Sequence, residues 1–243
     1  MYSTGKKLLS KIVSRNWLIK NEEVFRGIYS VIYKGNKHQC TVCNKKLSTF
    51  ISLPGNDLLC PNCGSLSRDR RLWQLEQQYL KPGISMLDFS PSRCLARRLL
   101  KRNDINYLST DLSDNFIARH RFDITNINLA DSSVDFITCY HILEHIEQDS
   151  KAMAELYRVL KPGGTALIQT PYKKGDIYED FTITEPAERE IHFGQDDHVR
   201  IYSVEGLKQR LENAGFTVAV NTFKEDLYAG LSADETVLIL SKQ

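Results

Sequence analysis

The stretch Val134 to Pro171, VDFITCYHILEHIEQDSKAMAELYRVLKPGGTALIQTP, restricts what this chain can become more than any other. Val134 to Cys139 is an apolar run too brief for a helix, so it reads as a buried strand. Asp149 and Ser150 are placed to cap a helix in which Ala152, Met153, Leu156, Val159 and Leu160 recur at helical spacing. Pro162, Gly163 and Gly164 stop that helix, and Thr165 to Thr170 reads as a second strand. Strand, helix, strand implies a parallel pair joined by a right-handed crossover, the unit of a doubly wound α/β sheet. Ligands of such sheets sit beyond the carboxyl ends of the strands. That puts Tyr140, His141, Glu144 and His145 at one lip and Pro171, Tyr172 and Lys173 at the next.

Charge is unevenly spread. Residues 1 to 38 carry eight basic and two acidic side chains, net +6 in a chain of net +2, so the remainder is −4. Leu8, Leu9, Ile12, Val13, Trp17, Leu18, Val24, Phe25, Ile28 and Ile32 give this segment an apolar side, and Lys6, Lys7, Lys11, Arg15, Lys20 and Arg26 a basic one. A basic amphipathic helix can lie on an anionic membrane or meet nucleic acid; docking on its own protein is the plainer alternative. No run of about 18 apolar residues is present, as a spanning helix would need. The N-terminus lacks an apolar core followed by a small-residue cleavage site, so the expectation is a cytoplasmic protein, with association at the inner membrane face through residues 1–38.

Cys40-Thr-Val-Cys43 and Cys60-Pro-Asn-Cys63 are two CxxC knuckles separated by 16 residues. Four thiolates complete the tetrahedral shell that zinc prefers, and a shell filled by sulfur is structural. Two disulfides are the alternative, which a reducing cytosol disfavours; iron is another. Leu47 to Leu53 reads as a strand and Pro54 to Asp57 as a turn, which together suggest a zinc ribbon. Cys94 and Cys139 stand apart as packing residues. Arg68, Arg70 and Arg71 follow, either to grip an anion or to hold the ribbon in place.

His-Ile-Leu-Glu-His at 141–145, Leu-Lys-Pro-Gly-Gly at 160–164 and the strand ending in Thr-Pro-Tyr resemble the second half of class I S-adenosylmethionine-dependent methyltransferases, over roughly residues 84 to 243. The resemblance implies a doubly wound, seven-stranded mixed sheet. Ile84 to Phe89 would be its first strand, Leu95 to Lys101 its first helix and Asn106 to Thr110 its second strand. Thr217 to Phe223 and Thr236 to Ser241 would close it as an antiparallel pair after a helix from Val204 to Ala214. In the family the first turn reads acidic, apolar, Gly, x, Gly, x, Gly. Here Asp88, Phe89, Ser90, Pro91, Ser92, Arg93 and Cys94 occupy those places, with no glycine. A left-handed backbone there would cost about 1 kcal/mol. The resemblance still implies that this turn and Asp88 meet the methionine end of the cofactor. Asp111 would hold the ribose with Leu112 on the adenine, and Asp123, with Ile124, would meet the adenine amino group. A turn cap is the alternative for Asp123. Tyr140 and His141 would border the cofactor, and His145 the acceptor; simple packing is the alternative for both histidines.

The insert after Pro171 gathers His192, Gln195, Asp196, Asp197, His198, Arg200 and Tyr202 within a dozen residues, which reads as a lid over an acceptor. Asp197 beside His198 suggests an oriented base, with His145 and His192 as further candidates and Arg200 as an anchor for an anionic group. The same cluster has metal-ligand chemistry. The expected organisation is a basic helical segment (1–38), a zinc ribbon (39–67) and a methyltransferase domain (68–243) with a lid at about 172–203. A ribbon followed by Gly-Ser-Leu-x-Arg-x-Arg resembles a bacterial group associated with surface polysaccharides. That implies an oxygen of a sugar or glycan precursor as acceptor. An RNA methyltransferase and a scaffold without cofactor are the alternatives.

Overall fold

The computed structural model describes residues 15–113 and 115–243. By contact the chain divides into two units, one running to Gln74 and including Glu225–Ala233, the other comprising Leu75–Lys224 and Asp234–Gln243. In the first, the amphipathic pattern forms helix α1 (Arg15–Tyr29), continued by a 3-10 turn, Ser30–Tyr33. The expectations for residues 1–14 lie outside the described residues. Strands β1 (Lys34–Gln39) and β2 (Lys46–Leu47) pair antiparallel, as do β3 (Ile51–Ser52) and β4 (Leu58–Leu59). The single strand expected over Leu47–Leu53 is thus two short ones. The break at Ser48 lies against Gly35, where a Cβ would come 2.6 Å from the Ser48 backbone.

Helix α2 (Ser67–Glu76) carries Arg70, which is fully buried. Its guanidinium donates to the carbonyls of Ser65 (2.6 Å), Leu58 (2.9 Å) and Gly230, and lies 4.3 Å above the Phe50 ring. Of the two readings for this arginine, the geometry is that of a clamp. Gly230 itself has φ +67°, and a Cβ there would enter the Phe50 ring. The segment Glu225–Ala233 is therefore a true part of this unit: Gln39 N donates to Tyr228 O, and Ser232 N to Ser67 Oγ.

The second unit holds β5 (Ser85–Phe89), α3 (Arg93–Leu99), β6 (Asn106–Thr110), β7 (Val134–Tyr140), α4 (Asp149–Val159) and β8 (Leu160–Gln169). It continues with β9 (Tyr178–Glu179), α5 (Pro186–Phe193), β10 (Arg200–Ile201), α6 (Val204–Asn213), β11 (Thr217–Phe223) and β12 (Glu235–Ser241). The sheet order is β11-β12-β8-β7-β5-β6, with β5 to β8 parallel and the last two strands antiparallel. Phe136 and Ile137 of β7 are buried, as strands covered on both faces require. Ala152, Met153, Leu156 and Val159 form the buried stripe of α4 against that sheet. Each large side chain so buried contributes about 1.5–3 kcal/mol.

Two expectations are corrected. The sheet has six strands rather than seven among the described residues. Beyond β6 there is only an isolated parallel bridge between Thr110 and His120, because Ala118-Arg-His-Arg121 offers charge and no apolar alternation to build a ladder. Asp149 and Ser150 do not cap α4; Gln148 holds the cap position without a side-chain bond. Asp149 is instead buried, accepting from Tyr202 Oη (2.5 Å) and Arg210 Nη1 (2.5 Å).

Candidate functional site

The carboxyl ends of β5 and β7 each turn through a non-glycine residue in the left-handed region, Ser90 (φ 45°) and His141 (φ 55°). Such conformations cost about 1–3 kcal/mol each and cluster at functional sites. Ser90 stands where the first glycine of the turn would be, and it takes the glycine conformation with its Cβ in place. Its Oγ then donates to Asp111 Oδ1 at 2.8 Å, and Ser113 Oγ donates to Asp111 Oδ2 at 3.0 Å. The serine thus has a task that glycine lacks: it fixes the nearly buried carboxylate at the end of β6. Next to Asp111, Leu112 leaves half its surface exposed, unusual for leucine beside a sheet end. A held carboxylate flanked by an open apolar side chain fits a nucleoside, with one group for hydroxyls and one for the base.

Asp88 is placed otherwise than expected. Its carboxylate points into the sheet, accepting from Tyr107 Oη (2.7 Å) and Thr138 Oγ1 (2.5 Å). Burial pushes its pKa up to about 6 against those two hydroxyls. It ties β5 to β6 and β7 and supports the turn rather than reaching out of it. Phe89 and Pro91 are buried and Ser92 half-buried at that turn. Asp123 accepts from Thr125 N and Oγ1 on the same oxygen, Oδ1 (both 2.8 Å), the geometry of a turn cap; Ile124 beside it is in the core.

The lip after β7 and β8 concentrates polar atoms that are buried and lack a hydrogen-bond partner among the described residues. They are His141 Nε2, both Glu144 carboxylate oxygens, Gln169 Oε1, Tyr172 Oη and His198 Nε2. Buried polar groups are normally satisfied, and a cluster of exceptions on one lip marks a place where a ligand completes the bonding. Glu144 is 1% exposed, with His141 Nδ1 3.3 Å from one of its carboxylate oxygens. Tyr140 is half-buried at the same strand end.

The insert delivers His198 to this lip. His198 Nδ1 lies 3.1 Å from the Phe193 carbonyl. A carbonyl only accepts, so Nδ1 carries the proton and Nε2 keeps its lone pair. Burial, and then the neighbouring His145, lower the His198 pKa, which favours the neutral ring. The His145 and His198 rings meet edge to face at 4.6 Å. Asp197 does not orient His198: its Oδ2 is 3.3 Å from His145 Nδ1 instead. Adjacent residues outside a helix rarely face the same partner.

Two other expected site residues are elsewhere. His192 is on α5, where Nδ1 meets Tyr178 Oη at 2.7 Å and Glu188 lies 3.8 Å from Nε2, apart from the His145–His198 pair. Arg200 is fully buried and is not free to anchor an anionic acceptor. It donates to the carbonyls of Leu143 (3.1 Å), Ile146 and Glu147 (3.0 Å) and to Glu179 Oε2 (2.8 Å), binding the insert to the 141–147 segment. Arg210 completes the network through Glu179 and Asp149. Only its place between two glutamate-bearing elements could have flagged this, and that is invisible before folding.

In the first unit Cys40, Cys43, Cys60 and Cys63, none of them in a disulfide, gather with their sulfurs within 4.8 Å of one another. Cys40–Cys63 and Cys43–Cys60 are each 3.7 Å apart. A tetrahedron with zinc–sulfur bonds of about 2.3 Å has an edge of about 3.8 Å. Donors and spacing fit zinc. Ser65 Oγ lies 3.3 Å from Cys40 Sγ and 3.2 Å from Cys63 Sγ, the outer contact such a site uses.

A family profile described as a methyltransferase domain matches residues 67–220. The chain is 33% identical over 103 residues to a probable S-adenosylmethionine-dependent methyltransferase of Mycolicibacterium smegmatis, covering 40% of this chain and 36% of that one. It is 28% identical over 163 residues to phosphoethanolamine N-methyltransferase 2 of Caenorhabditis elegans, covering 60% and 35%. The chain spans about a third of the length of these curated relatives. Among solved structures it is similar to a SAM-dependent methyltransferase from Archaeoglobus fulgidus, with TM-score 0.52 and 18% identity over 72% of this chain and 93% of that one, which shows a shared fold.

Proposed function

Because the chain belongs to the methyltransferase-domain family, we propose that it transfers a methyl group from S-adenosylmethionine to an oxygen of a sugar or glycan precursor. When bound, that cofactor supplies a methyl on a sulfonium, so the reaction is an in-line displacement that asks the protein for alignment. The observation that carries the reading is Ser90, strained into the glycine conformation and hydrogen-bonded to Asp111. Asp111 holds the ribose hydroxyls, Leu112 covers the adenine, and the second carboxylate oxygen of Asp123 is left for the adenine amino group. The turn Phe89–Ser92, Tyr140 and His141 border the methionine end, with Asp88 holding the strands beneath it. The acceptor hydroxyl loses its proton against the lone pairs of Glu144, His145 and His198. Asp197 orients His145, and Arg200 and His192 brace the insert that walls the acceptor side.

The remaining parts serve this activity from outside it. The four-cysteine cluster holds a structural zinc within a ribbon at 39–67, ahead of a methyltransferase domain at 68–243 with its lid at about 172–203. Trp17, Val24, Ile28, Val31 and Ile32 of the 1–38 segment are exposed, which supports seating on a membrane surface beside a lipid-linked acceptor at the cytoplasmic face. Among the described residues no helix is long and apolar enough to cross a membrane.

Calorimetry with S-adenosylmethionine, followed by labelled-methyl transfer to separated glycan, lipid and RNA fractions, tests the reading. Binding is expected in the wild type and lost in Asp111→Ala, while His198→Ala binds cofactor and turns over slowly. Label entering RNA instead of glycan would overturn the acceptor assignment, and absence of binding at millimolar cofactor would overturn the enzyme assignment.

A further inference from the structure

The two histidines at the acceptor lip share an arrangement that base chemistry alone does not require. His198 has its Nδ1 side against the Phe193 carbonyl, and His145 has its Nδ1 side against the Asp197 carboxylate. His198 is thereby held with Nε2 as the lone-pair nitrogen, and Asp197 stands where it can accept from His145 Nδ1. Metal-ligating histidines have this signature: the second nitrogen donates to a carbonyl or carboxylate, which fixes tautomer and ring angle. The third member is Glu144, 1% exposed, with no hydrogen bond to either carboxylate oxygen among the described residues. Its one close nitrogen among the described residues is His141 Nδ1, 3.3 Å from Oε1, and a buried carboxylate so sparsely met is costly unless a cation completes its surroundings. One ligand atom from each of Glu144, His145 and His198 can be chosen so that all three lie within 4.8 Å of one another.

The geometry points to a second metal site: we propose that Glu144, His145 and His198 bind one divalent transition-metal ion. Two imidazoles and a carboxylate suit a first-row ion such as manganese or zinc better than magnesium, which prefers oxygen. Three protein ligands leave coordination positions open, as catalytic sites do, whereas the Cys40–Cys63 site is filled by sulfur. The task of the ion rests on the methyl-transfer reading: at the acceptor lip it would bind the acceptor oxygen and lower its pKa so that the proton passes to water, the ion taking the place of the Glu144, His145 and His198 lone pairs as what draws that proton off. The bonding itself does not depend on that reading.

Manganese is the discriminating probe, since four thiolates hold it poorly. The full chain, stripped with chelator and resupplied with one equivalent of zinc, which four thiolates take first, is titrated with Mn²⁺ while free Mn²⁺ is followed by electron paramagnetic resonance. One bound ion per chain is expected, with affinity at least tenfold weaker in Glu144→Gln and in His145→Ala. Circular dichroism and thermal unfolding show whether each variant is folded, and a variant that is not is set aside for the other. No uptake by the wild type at millimolar Mn²⁺, or uptake unchanged in the folded variants, overturns the site. Cofactor binding without Mn²⁺ uptake removes the metal and leaves the methyltransferase reading standing; Mn²⁺ uptake without cofactor binding does the reverse.

Discussion

Arg70 and Arg200 are both fully buried, and each grips three backbone carbonyls, but their charges are met differently. Arg200 lies among carboxylates, Glu179 at 2.8 Å and Asp149 at 3.8 Å, with Arg210 sharing both. Arg70 has dipoles and an aromatic face: carbonyls of Ser65, Leu58 and Gly230, and the Phe50 ring. Its route to negative charge runs through Ser65, whose Oγ is 3.3 Å from Arg70 Nη1 and within 3.3 Å of two cysteine sulfurs. Four thiolates around the proposed zinc leave two negative charges, so the ribbon would supply the counter-charge that carboxylates supply around Arg200. A buried charge needs compensation, and folds find it in side chains or in a metal centre.

Cys40→Ser should be most severe, since structural zinc contributes on the order of 10 kcal/mol in small modules; thermal unfolding should show the first unit lost while the second persists. Arg200→Met should cost about 3–5 kcal/mol, because it leaves buried acceptors and two carboxylates short of a cation; urea denaturation measures it. Arg70→Met should cost about 2 kcal/mol if neutral carbonyls are its main partners. A cost equal to that of Arg200→Met would mean that the thiolates count as full counter-charges.

Asp88 is the extreme case, a buried carboxylate met among the described residues by the hydroxyls of Tyr107 and Thr138. Its folded pKa, about 6, lies above the ordinary 3.8. The folded state therefore holds its proton more tightly, and this contribution to stability is fully present below about pH 4. It is lost as pH rises to about 6, a fall of about 3 kcal/mol. Asp88→Asn should flatten that slope in denaturation series at fixed salt. Smallest is Ser90: Ser90→Ala keeps the left-handed strain and loses the hydroxyl, so it should be about 1 kcal/mol less stable than Ser90→Gly. Equal stabilities would show that the turn carries no strain.

Local patterns are readable in the sequence where neighbours along the chain decide the outcome. The Val134 run, the α4 stripe and the two CxxC knuckles all do so by spacing. What could not be read depends on groups distant in sequence. Arg70 and Arg200 look like anion grips because their carbonyl partners are set only by folding. Asp197 looks like the partner of His198 because it is adjacent, yet the turn at 196–197 aims it at His145. Ser90 looks like a defect in a glycine turn until its hydroxyl is seen on Asp111.

The segment Glu225–Ala233 has a consequence for how the protein is made. Arg70 meets Gly230 across 160 residues, and His38 meets Leu227 across 189. On a ribosome the cysteine knuckles emerge well before the residues that cover Phe50 and receive Arg70. Until then the nascent module is unfinished, so metal capture can precede final packing, which waits for the arrival of Gly230.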